Sequence, residues 1–322
     1  MAIAASRAVV ARLAAGGYAA ARLQHGFSGS AIVVSTWRAA STATPATTTP
    51  TQKEEAYDVL IVGANTVGSH LAVQLGRLAP GLRVGVVEAA EPPTLAKVAA
   101  ATDTDVRVFA VTPASAALLE SAGVWSAVTG VRAPAFSAMQ VWDALGDGVI
   151  RFGAAEVGTP NLGYVVENRV MQAALYDVLR ANAAASPASL SLLCPSGVKR
   201  IDLPAPLPHN PAPGTAAALA ASGATAGLAR VELADGRVAT ARLLVGADGA
   251  QSRVRAAANI GIMAVDYDQR GVVTTLRTDG CNETAWQRFL PSGPVALLPV
   301  RSCLLFLLHA HTPVCIARCS RA

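Results

Sequence analysis

The stretch from Tyr57 to Glu88, YDVLIVGANTVGSHLAVQLGRLAPGLRVGVVE, constrains this chain more than any other. Asp58 to Val62 is a short apolar run of β-branched type closed by Gly63, and it predicts a buried strand. Gly63 and Gly68 frame the turn that follows. Val67, Leu71, Leu75 and Leu78 then recur at helical spacing, which predicts a helix to Leu78 with those four residues on one side. Pro80-Gly81 stops it. Leu82 to Val87 predicts a second buried strand, with Glu88 at its carboxyl end. That order is a βαβ unit: its helix N-terminus can hold a diphosphate, and its acid can hold a ribose hydroxyl. The spacing from Gly63 to Glu88 is that of the dinucleotide fingerprint, except that Asn65 stands where the pattern has its second glycine. A glycine turn alone can serve the backbone only. With both strands, the helix and Glu88 in order, nucleotide binding is the stronger reading.

Composition bounds the rest. A chain of 322 residues has room for one large or two moderate domains. No apolar run is long enough to span a bilayer; Leu304 to Leu308 is far too short. The formal net charge of +5 arises in residues 1–53, which hold Arg7, Arg12, Arg22, Arg38 and Lys53 and no acid. The other 21 basic residues meet 21 acidic ones, so nothing points to nucleic acid. An acid-free opening rich in Ala, Arg and Ser predicts an organelle transit peptide, mitochondrial before chloroplast, with a linker from Ser41 to Lys53. The cysteines Cys194, Cys281, Cys303, Cys315 and Cys319 form no paired framework, which fits a reducing compartment.

Downstream, Ala89 to Thr104 shows no period and reads as a loop over the nucleotide site. Thr112-Pro113 opens a helix that ends before Gly123, with Ala114, Leu118 and Leu119 at helical spacing. Met139 to Asp143 and Val149 to Phe152 read as neighbouring strands. Asn168 can cap a helix with a stripe of Val170, Ala174, Leu175, Val178 and Leu179. Leu190 to Leu203 reads as one strand interrupted by Pro195-Ser196-Gly197. Residues 204–228 are a Pro/Ala/Gly-rich insertion, and Asp235-Gly236 turns a hairpin between Arg230–Leu233 and Arg237–Ala241.

A second motif follows. In LLVGADGAQSRVR, Leu243 to Arg255, a buried strand leads into an acid between two glycines, and Ser252 can cap a helix carrying two arginines. Asp248 at such a strand end can hydrogen-bond sugar hydroxyls or order a diphosphate; alone, it could equally serve the turn.

Gly63 to Gly68 with Glu88, and Gly246-Ala247-Asp248-Gly249 with Ser252 and Arg255, resemble the FAD-dependent aromatic hydroxylases related to p-hydroxybenzoate hydroxylase. RVFAVTPASAALLESAGVW, MQVWDA, GYVVEN and WQRFLPSGPVALLP narrow the resemblance to the mitochondrial ubiquinone-biosynthesis members, over roughly Tyr57 to Val300. The resemblance implies an α/β fold: a Rossmann-like βαβ FAD-binding domain with an inserted, incomplete antiparallel β substrate domain. The implied divisions are a transit peptide and linker at 1–53, FAD-binding parts at 54–130 and 164–258, substrate parts at 131–163 and 259–300, and an atypical tail at 301–322. Gly63 and Gly68 would bind the FAD diphosphate, Glu88 the adenosine ribose and Arg107 the diphosphate, while Asp248 and Gly249 complete the site.

The implied reaction is hydroxylation of a polyprenyl phenol with O2, the flavin supplying the difficult chemistry and no protein nucleophile being required. A ferredoxin-type electron donor, other ubiquinone-biosynthesis proteins and a peripheral seat on the matrix side of the mitochondrial inner membrane are the implied partners and location. Two alternatives stand beside this reading: a C-terminally truncated, inactive isoform, and an NAD(P)-linked dehydrogenase. The family's third FAD motif, a Gly-Asp pair followed by His and Pro, does not occur in the sequence. The tail RSCLLFLLHAHTPVCIARCSRA matches nothing in the family and is not expected to pack; its cysteines and histidines fit no zinc-finger spacing.

Overall fold

A computed structural model describes residues 34–36, 54–204, 228–301 and 304–311. The chain divides into two compact units, Met1–Pro92 with Leu175–Ile262 and Pro93–Ala174 with Met263–Ala322. Residues 93–130 and 164–174 thus group with the second unit.

The first unit is built on a seven-stranded sheet. Its strands are β1 (Val34–Thr36), β2 (Glu54–Val62), β3 (Val84–Val87), β9 (Leu190–Leu193), β10 (Val198–Asp202), β11 (Ala229–Leu233) and β12 (Val238–Gly246). The order is β10-β11-β12-β2-β3-β9, with β1 on the β11 side of β12. Strands β12, β2, β3 and β9 are parallel; β10, β11 and β1 run antiparallel to their neighbours. Helix α1 (Thr66–Leu78) makes the crossover from β2 to β3. Val59 to Val62 and Val84 to Val87 are buried at every position, the pattern of strands covered on both faces.

Two expectations change here, and a third holds. The buried face of α1 carries Gly68, Ser69, Ala72, Val73 and Leu75, while Val67 and Leu78 are 39% and 52% exposed. The helix lies on its small residues because its backbone must approach the sheet closely. Leu190 to Leu203 is two strands at opposite edges of the sheet, the segment 194–197 carrying the chain across. The predicted hairpin forms, and its second strand runs straight on into the strand before Asp248, so β12 serves both the hairpin and the site.

The second unit holds a six-stranded sheet. Its strands are β6 (Ala138–Asp143), β7 (Val149–Gly153), β13 (Arg270–Arg277), β14 (Thr284–Leu290), β15 (Gly293–Arg301) and β16 (Leu304–His311). The order is β13-β16-β15-β14-β6-β7, antiparallel except for the β14–β6 pair. A three-stranded sheet of β4 (Val108–Val111), β5 (Ala135–Phe136) and β8 (Gly163–Glu167) joins it. Phe136, Val165, Ala285 and Val300 form the buried contact, with Met139, Leu162 and Leu298 around them.

Part of the tail departs from expectation. Leu304–His311, which opens on the apolar run Leu304 to Leu308, is a central strand between β13 and β15. Residues 312–322, the 205–227 part of the insertion and, apart from β1, the transit peptide and linker lie outside the described residues. The expected loop from Ala89 to Thr104 contains α2 (Leu95–Ala100), capped by the Thr94 side chain. Helix α3 (Pro113–Ser121) starts as predicted with Thr112 as N-cap, but Ala116 and Leu119 are its buried residues while Ala114 is exposed. α4 (Trp125–Val131) follows. In α5 (Asn168–Ala185) Val170, Ala174, Leu175 and Leu179 are buried as read, and Asn168 is the first helical residue.

Candidate dinucleotide site

Strand register assembles this site. Val62 pairs with Val87 on one side and with Gly246 on the other, so β2, β3 and β12 end level with one another. The residues that leave those ends, Gly63, Glu88 and Ala247-Asp248, therefore emerge together at the carboxyl edge of the parallel strands. In open α/β sheets that edge is where ligands bind.

Gly63 continues the ladder, its N–H donating to the Val87 carbonyl at 2.8 Å, and the Ala247 N–H donates to the Val62 carbonyl at 2.7 Å. Gly63 has φ +102°, where a side chain is strained, and a Cβ there would lie 2.4 Å from the Ala247 carbonyl oxygen. A Cβ on Gly68 would lie 1.8 Å from the Gly63 carbonyl oxygen. Three backbone segments thus meet without side chains between them. The hydroxyl of Ser69, fully buried, donates to the Ala64 carbonyl at 2.7 Å and ties the first turn of α1 to the loop.

Glu88 closes the unit. Its Oε2 accepts from the Ala64 N–H at 2.7 Å and its Oε1 from the Ala90 N–H at 3.3 Å. The carboxylate is half-buried and stands over the turn that would receive a diphosphate. Asn65 does not use left-handed backbone. With φ −75° and ψ −173° it is the N-cap of α1, its Oδ1 accepting from the Thr66 N–H at 2.8 Å. That side-chain bond is one that a glycine at this position of the fingerprint could not make.

Asp248 divides its two oxygens. Oδ2 accepts from the Arg253 N–H at 2.7 Å and so holds the start of α6 (Arg253–Ala257), which Ser252 caps as expected. Oδ1 is buried without a hydrogen-bond partner. One oxygen serves the turn; the other is an acceptor that a ligand hydroxyl or N–H would satisfy. Gly249, at φ +82°, is exposed beside it. The first unit thus brings together Gly63, Gly68, Glu88, Asp248 and Gly249. Arg107 belongs to the second unit, at the start of β4. Its side chain is 73% exposed and stands 3.5 Å from Asp105.

Cys194 closes β9 beside Tyr176; burial pushes its thiol up, with the Tyr176 hydrogen bond pulling the other way. A raised thiol is a poor nucleophile. The second unit also holds an open apolar cavity of about 330 Å³, lined by Val111, Thr112, Phe136, Met139, Phe152 and Leu162. That is at the small end of ligand pockets. Two features escaped sequence reasoning: the level strand ends, which only register reveals, and a buried ion network around Glu167, whose members are scattered from Val98 to Arg169.

No protein-family model matches the chain. It is 34% identical over 263 residues to the human mitochondrial ubiquinone biosynthesis monooxygenase COQ6, covering 79% of this chain and 52% of that protein. It is 36% identical over 244 residues to the 3-demethoxyubiquinol 3-hydroxylase of Escherichia coli, covering 76% and 54%. The chain thus spans about half the length of these relatives. Among solved structures, the fold resembles PqsL, a probable FAD-dependent monooxygenase of Pseudomonas aeruginosa, with a TM-score of 0.60 at 20% identity over 80% of this chain and 61% of that one. The flavin-dependent monooxygenase PieE, solved with FAD and substrate, gives a TM-score of 0.57 at 15% identity over 80% and 43%.

Proposed function

We propose that the chain belongs with the ubiquinone-biosynthesis monooxygenases it resembles, that it binds FAD and that it hydroxylates the aromatic ring of a polyprenyl phenol precursor of ubiquinone. The observation that carries this reading is the joint emergence of Gly63, Glu88 and Asp248 from three level strand ends. The site fits FAD: its glycines leave backbone bare, and the buried Asp248 Oδ1 lacks a partner.

In this reading Gly63, Gly68 and the N-terminus of α1 hold the diphosphate, helped by the partial positive charge of the helix end. Glu88 takes the adenosine ribose, Arg107 gives the diphosphate a guanidinium fork, and Asp248 with Gly249 completes the site. Reduced FAD supplies the activation of O2 that lets one oxygen atom pass to an electron-rich phenol ring. The protein's own work is orientation and exclusion of water. The apolar cavity of Val111, Phe136, Met139, Phe152 and Leu162 suits the apolar part of such a substrate. The domain division at 54–130, 131–163, 164–258 and 259–300, a ferredoxin-type electron donor, other ubiquinone-biosynthesis proteins and a peripheral seat on the matrix face of the mitochondrial inner membrane belong to the same proposal. No helix among the described residues is long and apolar enough to cross a membrane. The relatives named above are a monooxygenase and a hydroxylase, which weighs against the NAD(P)-linked alternative.

Activity is tested by supplying the FAD-loaded chain with a reductant, a short-tailed prenyl phenol and isotopically heavy O2. The expected product carries one heavy oxygen on the ring. Reduced, FAD-loaded protein that forms no such product would contradict the catalytic part of the reading.

A further inference from the structure

The apolar cavity of the second unit continues into a stripe of exposed apolar side chains. Val111 and Phe136, each 5% exposed, form its floor, and Met139 of β6 and Phe152 of β7 form its mouth. Backbone holds the floor in place. The Leu162 N–H donates to the Phe136 carbonyl at 2.9 Å, and the Phe136 ring packs against Gly163, where a Cβ would come within 3.0 Å of it. Met139 and Phe152 are register partners across β6 and β7, so their side chains stand beside each other on one face of the sheet. Side chains alternate between the faces of a strand, and the next residues on this face are Val141 and Ile150, again register partners. Phe152 and Ile150 are 47% and 57% exposed. The cavity therefore opens onto an apolar track along β6 and β7. Every residue of cavity and track belongs to the second unit.

The lining decides what this surface can take. Among the described residues that form it, only Thr112 carries a hydroxyl and none carries a charge. That hydroxyl is occupied in capping α3: it accepts from the Ser115 N–H at 3.2 Å and donates to Ser115 Oγ at 3.1 Å. A phenol hydroxyl buried here would give up water and find no partner, which is costly. An isoprenoid chain has no such group. The cavity, at about 330 Å³, is small, and the track beyond its mouth offers apolar surface to the part of a longer chain that the cavity does not hold. We propose that the cavity and the β6–β7 track together hold the isoprenoid tail of the substrate, and not its hydroxylated ring, with Ile150 setting how much of a longer tail is gripped. The inference rests on the prenyl phenol named above.

The test is calorimetric titration of the full chain with geraniol, with the longer farnesol and, as a ring without a tail, with phenol. A fully buried methylene is worth roughly four-fold in affinity, and a half-exposed track recovers part of that for each carbon. Farnesol is therefore expected to bind at least about ten-fold tighter than geraniol, and phenol is expected to displace neither. I150D and the milder I150S are expected to cut that gain to less than about three-fold. V149D is the control, because Val149 is the next residue of the same strand, 49% exposed and on the opposite face; it is expected to keep the gain. Thermal unfolding checks that the variants fold, and if I150D does not, I150S decides. Affinity that does not rise with chain length overturns the inference. So does a gain that survives in folded I150D or I150S or is lost equally in V149D, and so does phenol that displaces farnesol. FAD titration of the same samples separates the two readings. A chain that binds FAD but shows no length-dependent binding of the alcohols loses the inference alone; a chain that binds farnesol as expected but no FAD loses the functional reading and keeps the isoprenoid site.

Discussion

Replacing Gly68 by alanine is expected to destabilise the first unit by about 3 kcal/mol, at the upper end of what overpacking costs, and to abolish FAD binding. The new Cβ would sit 1.8 Å from the Gly63 carbonyl oxygen and 3.2 Å from the Ala247 Cβ. The first obstacle is backbone, fixed by the ladder bond from Gly63 to Val87, so it cannot swing aside as a side chain could. Helix α1 must lift away from the sheet, and the first-turn groups that face the diphosphate lift with it. Gly76 is the control on the same helix. A Cβ there meets nothing within 4 Å, so G76A is expected to gain up to about 1 kcal/mol from helix propensity and to leave FAD binding intact. Thermal or denaturant unfolding with flavin titration reads both variants. Equal behaviour of G68A and G76A would refute the close-packed cradle.

Removing Arg132 is expected to be the costliest change in the second unit. R132M leaves the Glu167 carboxylate buried with one charge partner fewer, and strips the Val98 and Ala101 carbonyls of their donor. Breaking a buried pair from one side costs roughly 3–5 kcal/mol. Removing both members costs less than the single changes predict together, because the stranded charge goes too. R132M/E167L is therefore expected to be no less stable than R132M, by denaturant unfolding. A double variant whose loss equals the sum of the two single losses would show that the network is not acting as a unit.

The sequence exposed the parts of the site that are local. A strand, a glycine turn, a helix and a closing acid lie within Tyr57–Glu88, and the Asp248 turn is equally compact, so spacing alone reveals them. The resemblance in the tryptophan-bearing segments pointed to the ubiquinone-biosynthesis relatives. What spacing could not reveal is long-range. Periodicity placed the buried face of α1 on Val67, Leu71, Leu75 and Leu78, of which Leu75 alone is fully buried, since it ranks residues by hydrophobicity, whereas the close approach to Gly63 and Ala247 selects for small ones. Leu190 to Leu203 reads as one strand interrupted at Pro195-Ser196-Gly197 because both halves are strand-forming; their places at opposite sheet edges depend on partners outside the segment. The strand at Leu304–His311 was missed because its apolar run, Leu304 to Leu308, was weighed only as a membrane span, and Glu167 was missed because a single acid before a helix reads as ordinary.

The central claim is that level strand ends bring Gly63, Glu88 and Asp248 together as a site for FAD. The most direct measurement is titration of the purified chain with FAD, followed by flavin absorbance and fluorescence, beside titration with NAD. The account predicts saturable, stoichiometric FAD binding that E88A and D248A each weaken at least about ten-fold, with no comparable binding of NAD. A folded chain that binds NAD but not FAD, or binds FAD unchanged in both variants, would contradict it.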